Sequence, residues 1–205
     1  MKIATLGFDD GVGDEPTLRA LREAGIRATF YLVASWLREP IYGGMPLADI
    51  RALYDGMEIG CHTLTHMSPG QWRTGDAARE IYTARDMVEH FFHQQRPSVI
   101  AWPYGHVPAE GGLEIATQAF QWGRVTTAYS GPDLGRMTMR PTAPMTRWAM
   151  AQGAIERGDP VHLTGHGYEL ARHATLLPCI VATLSGAGYR FVTASEYFAE
   201  TCPEA

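Results

Sequence analysis

The chain is 205 residues long, with 45% hydrophobic residues, 19% charged residues and a formal net charge of -5. That length suits one domain, 1–205, with a core of ordinary size, and the composition excludes a disordered or coiled-coil chain. Basic residues such as Arg19, Arg22, Arg27, Arg38 and Arg51 are scattered rather than gathered into a stripe, which argues against a nucleic-acid partner.

In chain order, short apolar runs alternate with helical patterns. Ile3 to Phe8 reads as a buried strand. Glu15 to Ala24 reads as a helix with Pro16 in its first turn, stopped by Gly25. Ala28 to Val33 is a second strand, Ser35 to Pro46 a loop rich in Gly, Pro and aromatics, Leu47 to Tyr54 a short helix and Met57 to Cys61 a third strand. Gly75 to Phe92 is a long helix with Ala78, Ile81, Tyr82, Met87 and Val88 near one face, and Val99 to Trp102 a strand. Leu113 to Phe120 reads as helix, Gly123 to Ala128 as strand, Thr146 to Arg157 as helix and Val161 to Thr164 as strand. Ala174 to Ser185 is a helix ended by Gly186, and Arg190 to Thr193 the last strand, before a short terminal helix.

This alternation implies parallel βαβ units, about seven of them, and so a distorted or incomplete (β/α) barrel. Neither a G-x-G-x-x-G after the first strand nor a P-loop occurs, so nucleotide-binding variants are disfavoured. Cys61, Cys179 and Cys202 are odd in number and include no CxxC pair, so no disulfide framework is expected. The acidic pair Asp9-Asp10 comes too early for a secretory signal, and no apolar run nears about 18 residues, so the expectation is a cytoplasmic protein with no membrane span.

Barrel chemistry sits at the C-terminal ends of strands, and four polar clusters fall there. In Gly7-Phe8-Asp9-Asp10-Gly11, two adjacent carboxylates would raise each other's pKa unless a cation intervenes; a divalent metal on one would leave the other as a base. By itself the segment also reads as a strand-ending turn. His62 and His66 share a face if their segment turns helically, and imidazole suits Zn, Co, Ni or Fe. Leu64 and Thr65 exclude an H-E-x-x-H zincin. One Asp with two His leaves open positions on a metal, the arrangement of a catalytic site. In Ala101-Trp102-Pro103-Tyr104-Gly105-His106, a strand-end turn is able to aim a backbone N–H into a cleft, and Trp102 and Tyr104 are candidates to stack on a sugar ring; by itself the segment reads equally as a mere tight turn with core aromatics. His166, between Gly165 and Gly167, is a candidate general acid, whereas His162 reads as a packed or surface histidine. Trp36 and Tyr42 in the 35–46 loop read either as substrate rim or as packing.

With these clusters in this order, the chain resembles the polysaccharide deacetylase (NodB-homology, carbohydrate esterase family 4) enzymes over essentially its whole length. Phe8-Asp9-Asp10-Gly11 is similar to the family's first motif, and Glu58 through His66 to its second, the most specific signal. Ala28-Thr29-Phe30-Tyr31 is similar to its second strand, Pro103-Tyr104-Gly105 to its third motif and Gly165-His166-Gly167-Tyr168-Glu169 to its final one. Arg124-Val125-Thr126-Thr127 and Pro141-Thr142 resemble a bacterial branch. The resemblance implies a NodB-type barrel and a metal-dependent hydrolase that removes an acyl group, N-acetyl above all, from an amino sugar or sugar conjugate. Asp9 would be the general base and His166 the general acid. Asp10, His62 and His66 would hold Zn2+, with Co2+, Ni2+ or Fe2+ as alternatives. The backbone N–H of Tyr104 would bind the oxyanion, and Trp102, Pro103, Tyr104, Gly105 and Arg124 would contact substrate.

Two departures stand out. The arginine that commonly opens the third motif is replaced by Ala101, and Arg124 is the candidate to supply the missing guanidinium; an ordinary surface ion pair is the competing role for it. The family's fourth-motif aspartate and tryptophan are not recognisable. A C–N hydrolase acting on a small cyclic amide or ureide, and a non-catalytic carbohydrate-binding relic, remain the alternative readings.

Overall fold

The computed structural model describes residues 2–38, 46–73, 75–93 and 96–202. In chain order the elements are β1 (Ile3–Asp10), α1 (Glu15–Glu23), β2 (Thr29–Leu32), α2 (Leu47–Leu53), β3 (Glu58–Cys61), α3 (Asp76–Ala78), α4 (Ala84–Phe92), β4 (Val99–Ala101), α5 (Glu110–Ala119), β5 (Trp122–Arg124), β6 (Ala143–Pro144), α6 (Gln152–Arg157), β7 (Val161–His166), α7 (Gly167–Ala171), α8 (Leu176–Gly186), β8 (Arg190–Phe191) and α9 (Ala194–Thr201). Among the described residues the strands follow the order β5-β4-β3-β2-β1-β7-β6, with β8 pairing the start of β1. The pairings of β1 with β7 and β8, of β3 with β4, of β4 with β5 and of β6 with β7 are parallel, as the strand–helix alternation requires. No described helix is long and apolar enough to cross a membrane.

The chain forms two compact units: Met1–Phe30 with Leu53–Glu58 and Pro141–Glu204, and Tyr31–Ala52 with Ile59–Arg140. In the first, β1 is apolar and buried over nearly its whole length because a parallel central strand is covered on both faces. Ile3, Leu6 and Phe8 join Leu18, Leu21, Leu163, Ile180 and Leu184 in the core. Burying one such side chain contributes about 1.5–3 kcal/mol. Phe8 stacks on Phe30 with ring centroids 4.8 Å apart. In the second unit, β3, β4 and β5 pair in register at Cys61–Ile100 and Ala101–Arg124. Gly60 admits no side chain, since a Cβ there would lie 2.8 Å from the Tyr31 ring and 2.9 Å from Val99.

Several expected elements are redrawn. The helix expected over 146–157 is a 3-10 segment, Met145–Ala151, followed by α6; Arg147, at φ -129°, breaks the regular helix. β6 has two residues, one of them proline, and so carries no alternation pattern to read. β5 ends at Arg124, short of the expected Ala128, whereas β7 runs on to His166. Within the expected 35–46 loop, Ala34–Arg38 is a 3-10 turn; Tyr42 lies outside the described residues. The long 75–92 helix contains a π-helical turn at Arg79–Thr83. Its buried stripe is Glu80, Ile81, Ala84, Arg85, Val88 and Phe91, so two charged residues lie on the face read as apolar.

Candidate active site

In the first unit the register of β1 against β7 sets Asp9 beside His166. Asp9 is buried. Asp10 has φ +75° and Gly11 φ +82°, and the N–H of Gly11 donates to the Asp9 carbonyl at 3.0 Å. The left-handed turn at Asp10 ends the strand and breaks its side-chain alternation. Such backbone in a non-glycine residue is uncommon and clusters at functional sites. His166 Nε2 lies 3.8 Å from Asp10 Oδ2. Glu169 Oε2 accepts from the backbone N–H of His166 at 3.3 Å and is 3.0 Å from its Nδ1. Burial depresses the His166 pKa, but the Glu169 hydrogen bond and the charges of Asp9 and Asp10 outweigh it and raise the pKa above the ordinary value. The imidazolium, the form able to donate a proton, is thereby favoured. Tyr168 stacks on this ring at 5.0 Å.

The turns carrying these groups meet backbone to backbone. A Cβ on Gly167 would lie 2.1 Å from Asp14 Oδ1, and one on Gly13 would lie 3.3 Å from the Tyr168 Cα. Asp14 precedes α1 but does not cap it with its side chain. Its Oδ2 accepts from the Tyr54 hydroxyl at 2.8 Å instead. Burial, reinforced by the charges of Asp10 and Asp9 against the lowering effect of the Tyr54 hydrogen bond, pushes the Asp14 pKa from 3.8 up to about 7. Because the folded pKa is the higher one, the neutral acid favours folding. The stability is present below pH 3.8 and is lost as pH rises toward 7, by up to roughly 4 kcal/mol as an upper bound. Asp14→Asn removes this proton linkage. In chelator-treated protein its Tm relative to the parent should therefore rise between pH 5 and pH 8; identical pH dependence of Tm in the two proteins would refute the assignment.

In the second unit, His62 and His66 lie on a loop after β3, not on a helix, so the helical-turn route to a shared face is corrected. Thr63 (φ +66°) and His66 (φ +63°) take left-handed backbone, and this brings the two rings to 4.9 Å between centroids. The loop is held by Ala34 N–H to Thr63 O at 3.1 Å and Ser35 N–H to Leu64 O at 2.9 Å. Glu80, from the π-helical turn, accepts from the N–H groups of Leu64 and Thr65 at 3.1 and 2.9 Å and from the Thr65 hydroxyl at 2.9 Å. His62 Nδ1 is 2.8 Å from the Ala101 carbonyl. A carbonyl only accepts, so Nδ1 carries the proton and neutral His62 presents the lone pair of Nε2, as a metal ligand must. His66 Nδ1 lies 3.3 Å from the Tyr104 hydroxyl, and its ring 5.4 Å from that of half-buried Trp36.

The third cluster divides. Tyr104 (φ +59°) and Gly105 (φ +73°) form the expected tight turn, and the Tyr104 side chain is 61% exposed. Trp102, expected as a stacking platform, is a correction: it is 1% exposed and its Nε1 donates to the Met137 carbonyl at 2.9 Å, so the indole is a core group. Pro103 and Gly105 are buried as well; Gly105 lies so close to Thr126 that a Cβ would come within 2.5 Å of the threonine hydroxyl. Arg124 is 4% exposed, which sets aside the surface ion pair. Its guanidinium sits over the Tyr31 ring at 4.9 Å and donates to the Val125 carbonyl at 3.2 Å. His162 is packed, as expected. Its Nδ1 is 2.9 Å from the Thr5 hydroxyl, its ring is 4.4 Å from that of Tyr197, and burial lowers its pKa to about 4.

Sequence reasoning passed over Asp14 and Glu80 and gave Glu169 no role beyond its place in the final motif. For Glu80 a signal existed: it shares the i, i+4, i+8 face with Ala84 and Val88. Asp10, His62 and His66 supply one carboxylate and two imidazoles, a donor set whose chemistry suits a divalent ion.

A parallel α/β protein whose strand ends carry paired carboxylates and histidines is the class that fold and residues define. The family model described as polysaccharide deacetylase matches residues 1–119, and the chain belongs to that family. It is 26% identical over 200 residues to a peptidoglycan-N-acetylglucosamine deacetylase of Bacillus cereus, covering 95% of this chain and 87% of the relative. It is 30% identical over 124 residues to the peptidoglycan-N-acetylmuramic acid deacetylase PdaC of Bacillus subtilis, covering 59% of this chain but only 25% of that longer relative. Among solved structures, the Bc1960 peptidoglycan N-acetylglucosamine deacetylase superposes with a TM-score of 0.70 at 19% identity, covering 95% of this chain and 87% of that one. The fold is thus the NodB-type (β/α) barrel of carbohydrate esterase family 4, as the resemblance of its motifs implies.

Proposed function

We propose that this chain is a metal-dependent N-deacetylase acting on an N-acetylated amino sugar or sugar conjugate. The observation that carries the reading is the pairing of Asp9 with His166 across β1 and β7, with His166 held by Glu169 and its pKa raised. The named relatives, both deacetylases of acetylated sugars, support the same chemistry.

In this reading Asp10, His62 and His66 hold a divalent cation, with zinc as the preferred occupant and Co2+, Ni2+ or Fe2+ as substitutes. A cation there supplies polarisation of the acyl carbonyl and a lowered pKa for water. Asp9 takes a proton from the attacking water. The Tyr104 N–H stabilises the oxyanion that develops on the carbonyl. His166 delivers its proton to the departing nitrogen, without which an amine is a poor leaving group. Glu169 keeps His166 oriented and charged. Arg124 steadies the Asp9 carboxylate in place of the arginine missing at Ala101. A cytoplasmic location belongs to the same reading and is tested by cell fractionation.

Acetate release from N-acetylglucosamine oligosaccharides, measured before and after chelation and after adding back Zn2+, tests the whole. Turnover that survives complete chelation, or no acetate from any acetylated sugar under any metal, would overturn it. Arg124→Ala is expected to lower kcat about tenfold or more, in line with the loss of a group that orients a reacting side chain; an unchanged kcat would end its assignment.

A further inference from the structure

A general acid has to aim its proton as well as carry it, and one hydrogen bond does not aim an imidazole. Glu169 Oε2 pins His166 at Nδ1, 3.0 Å away, and leaves the ring able to swing about that atom. Nε2, on the edge that faces the end of β1, lies 3.8 Å from Asp10 Oδ2, and a swing of the ring carries it off that line. Tyr168 lies over one face of the same imidazole, with centroids 5.0 Å apart and the two planes inclined by 28°. Rings stacked at this separation attract each other, and a stacked ring closes its face to tilting. Consecutive residues of a helix point about 100° apart. Glu169 and Tyr168, neighbours in α7, therefore meet the imidazole at an edge and at a face.

Neither burial nor its phenol accounts for the place of Tyr168. Its side chain is 37% exposed, so it adds little to the core. Among the described residues its hydroxyl makes no hydrogen bond. The backbone beneath the ring is held from the other side. α7 has only five residues, too few to stand as a helix without tertiary support, and its first turn is clamped by the turn between β1 and α1. Gly13, at φ +68°, comes so close that a Cβ on it would lie 3.3 Å from the Tyr168 Cα and Cβ and 3.4 Å from its nitrogen, while Gly167 abuts Asp14. The direction in which Tyr168 leaves the chain is thus set by the turn that follows Asp9 and Asp10.

We propose that Tyr168 is a positioning residue for His166: its ring holds the imidazole by one face while Glu169 holds it by an edge, so that Nε2 is already aimed when substrate arrives. The proposal rests on the deacetylase reading for the role of His166 as acid, and adds to it a second support for that acid. The aromatic face is what acts; the phenol oxygen takes no part.

Two measurements on the full chain, in the parent, Tyr168→Phe and Tyr168→Ala, test it. The first is steady-state acetate release from N-acetylglucosamine oligosaccharides by zinc-loaded protein. In Tyr168→Ala, kcat and kcat/KM should fall together by about 10–100-fold, with KM unchanged, as expected when a reacting group is misplaced by about an ångström. Tyr168→Phe should keep the parent's values. The second is proton NMR of chelator-treated protein, with the His166 ring protons assigned by their loss in His166→Gln. The ring current of the stacked aromatic should displace them in the parent and in Tyr168→Phe, and the displacement should vanish in Tyr168→Ala. A Tyr168→Ala enzyme with the parent's kcat overturns the proposal, and so does one in which only KM rises, which would make Tyr168 a substrate contact. A phenylalanine variant as slow as the alanine one overturns it as well, because the hydroxyl would then be the working group. Ring protons at the same position in the parent and Tyr168→Ala would show that the stack does not hold His166. A parent that releases no acetate from any of these sugars removes the deacetylase reading instead, and the ring-current displacement still decides whether Tyr168 holds His166.

Discussion

Asp9→Asn is expected to lower kcat by about 10²–10⁴-fold while metal content stays at the parent level. Asparagine keeps the shape of the side chain and one acceptor oxygen but cannot take up a proton at neutral pH. Asp9 is the last buried residue of β1, and its partner across the sheet is His166. The change therefore removes a base without disturbing the β1–β7 register. Because Asp10, not Asp9, is assigned to the metal, inductively coupled plasma analysis of the purified variant should return the same stoichiometry as the parent. Loss of metal together with loss of activity would mean that the two carboxylates have been assigned in the wrong order. Full activity with metal retained would mean that the base lies elsewhere.

Glu80→Ala should cost about 3 kcal/mol of stability, corresponding to a Tm lower by about 6–12 °C for a chain of this size. The Glu80 carboxylate is almost fully buried and accepts three hydrogen bonds from Leu64 and Thr65. Deleting it strands the buried N–H of Leu64 and the part-buried N–H of Thr65, and desolvated unpaired donors are costly. The larger consequence falls on the loop. Thr63 and His66 hold left-handed backbone that the loop would not choose by itself. Without Glu80 the His62 and His66 rings lose their fixed spacing, so zinc affinity should fall about 10–100-fold, the range for residues that orient metal ligands. Calorimetric unfolding with and without zinc checks both effects. A variant that melts with the parent and binds zinc equally would show the carboxylate to be dispensable.

The barrel class was legible because it rests on a coarse signal, the alternation of apolar runs with helical periodicity. What escaped lies below that resolution. β6 is two residues long, and the break at Arg147 depends on one dihedral angle. The chemical residues divide the same way. Asp9, Asp10, His62, His66 and His166 stand out because their types are unusual at the ends of apolar strands. Glu80, Glu169 and Asp14 look like ordinary helix and turn residues, and only packing reveals that each holds another group in place. Trp102 stayed open between stacking platform and core aromatic because sequence shows an aromatic next to a candidate site but not whether its faces are already covered; here the ring is buried and its N–H donates to the Met137 carbonyl.

Of the five non-glycine residues with positive φ among the described ones, Asp10, Thr63, His66 and Tyr104 belong to the motifs read as functional and only His93 does not. Each conformation is paid for by packing elsewhere in the chain, at about 1–3 kcal/mol apiece. Screening a random library for heat resistance alone should therefore enrich glycine and asparagine at these four places. The survivors would keep the left-handed backbone at lower cost but lack the Asp10 carboxylate and the His66 imidazole that the proposed metal site needs.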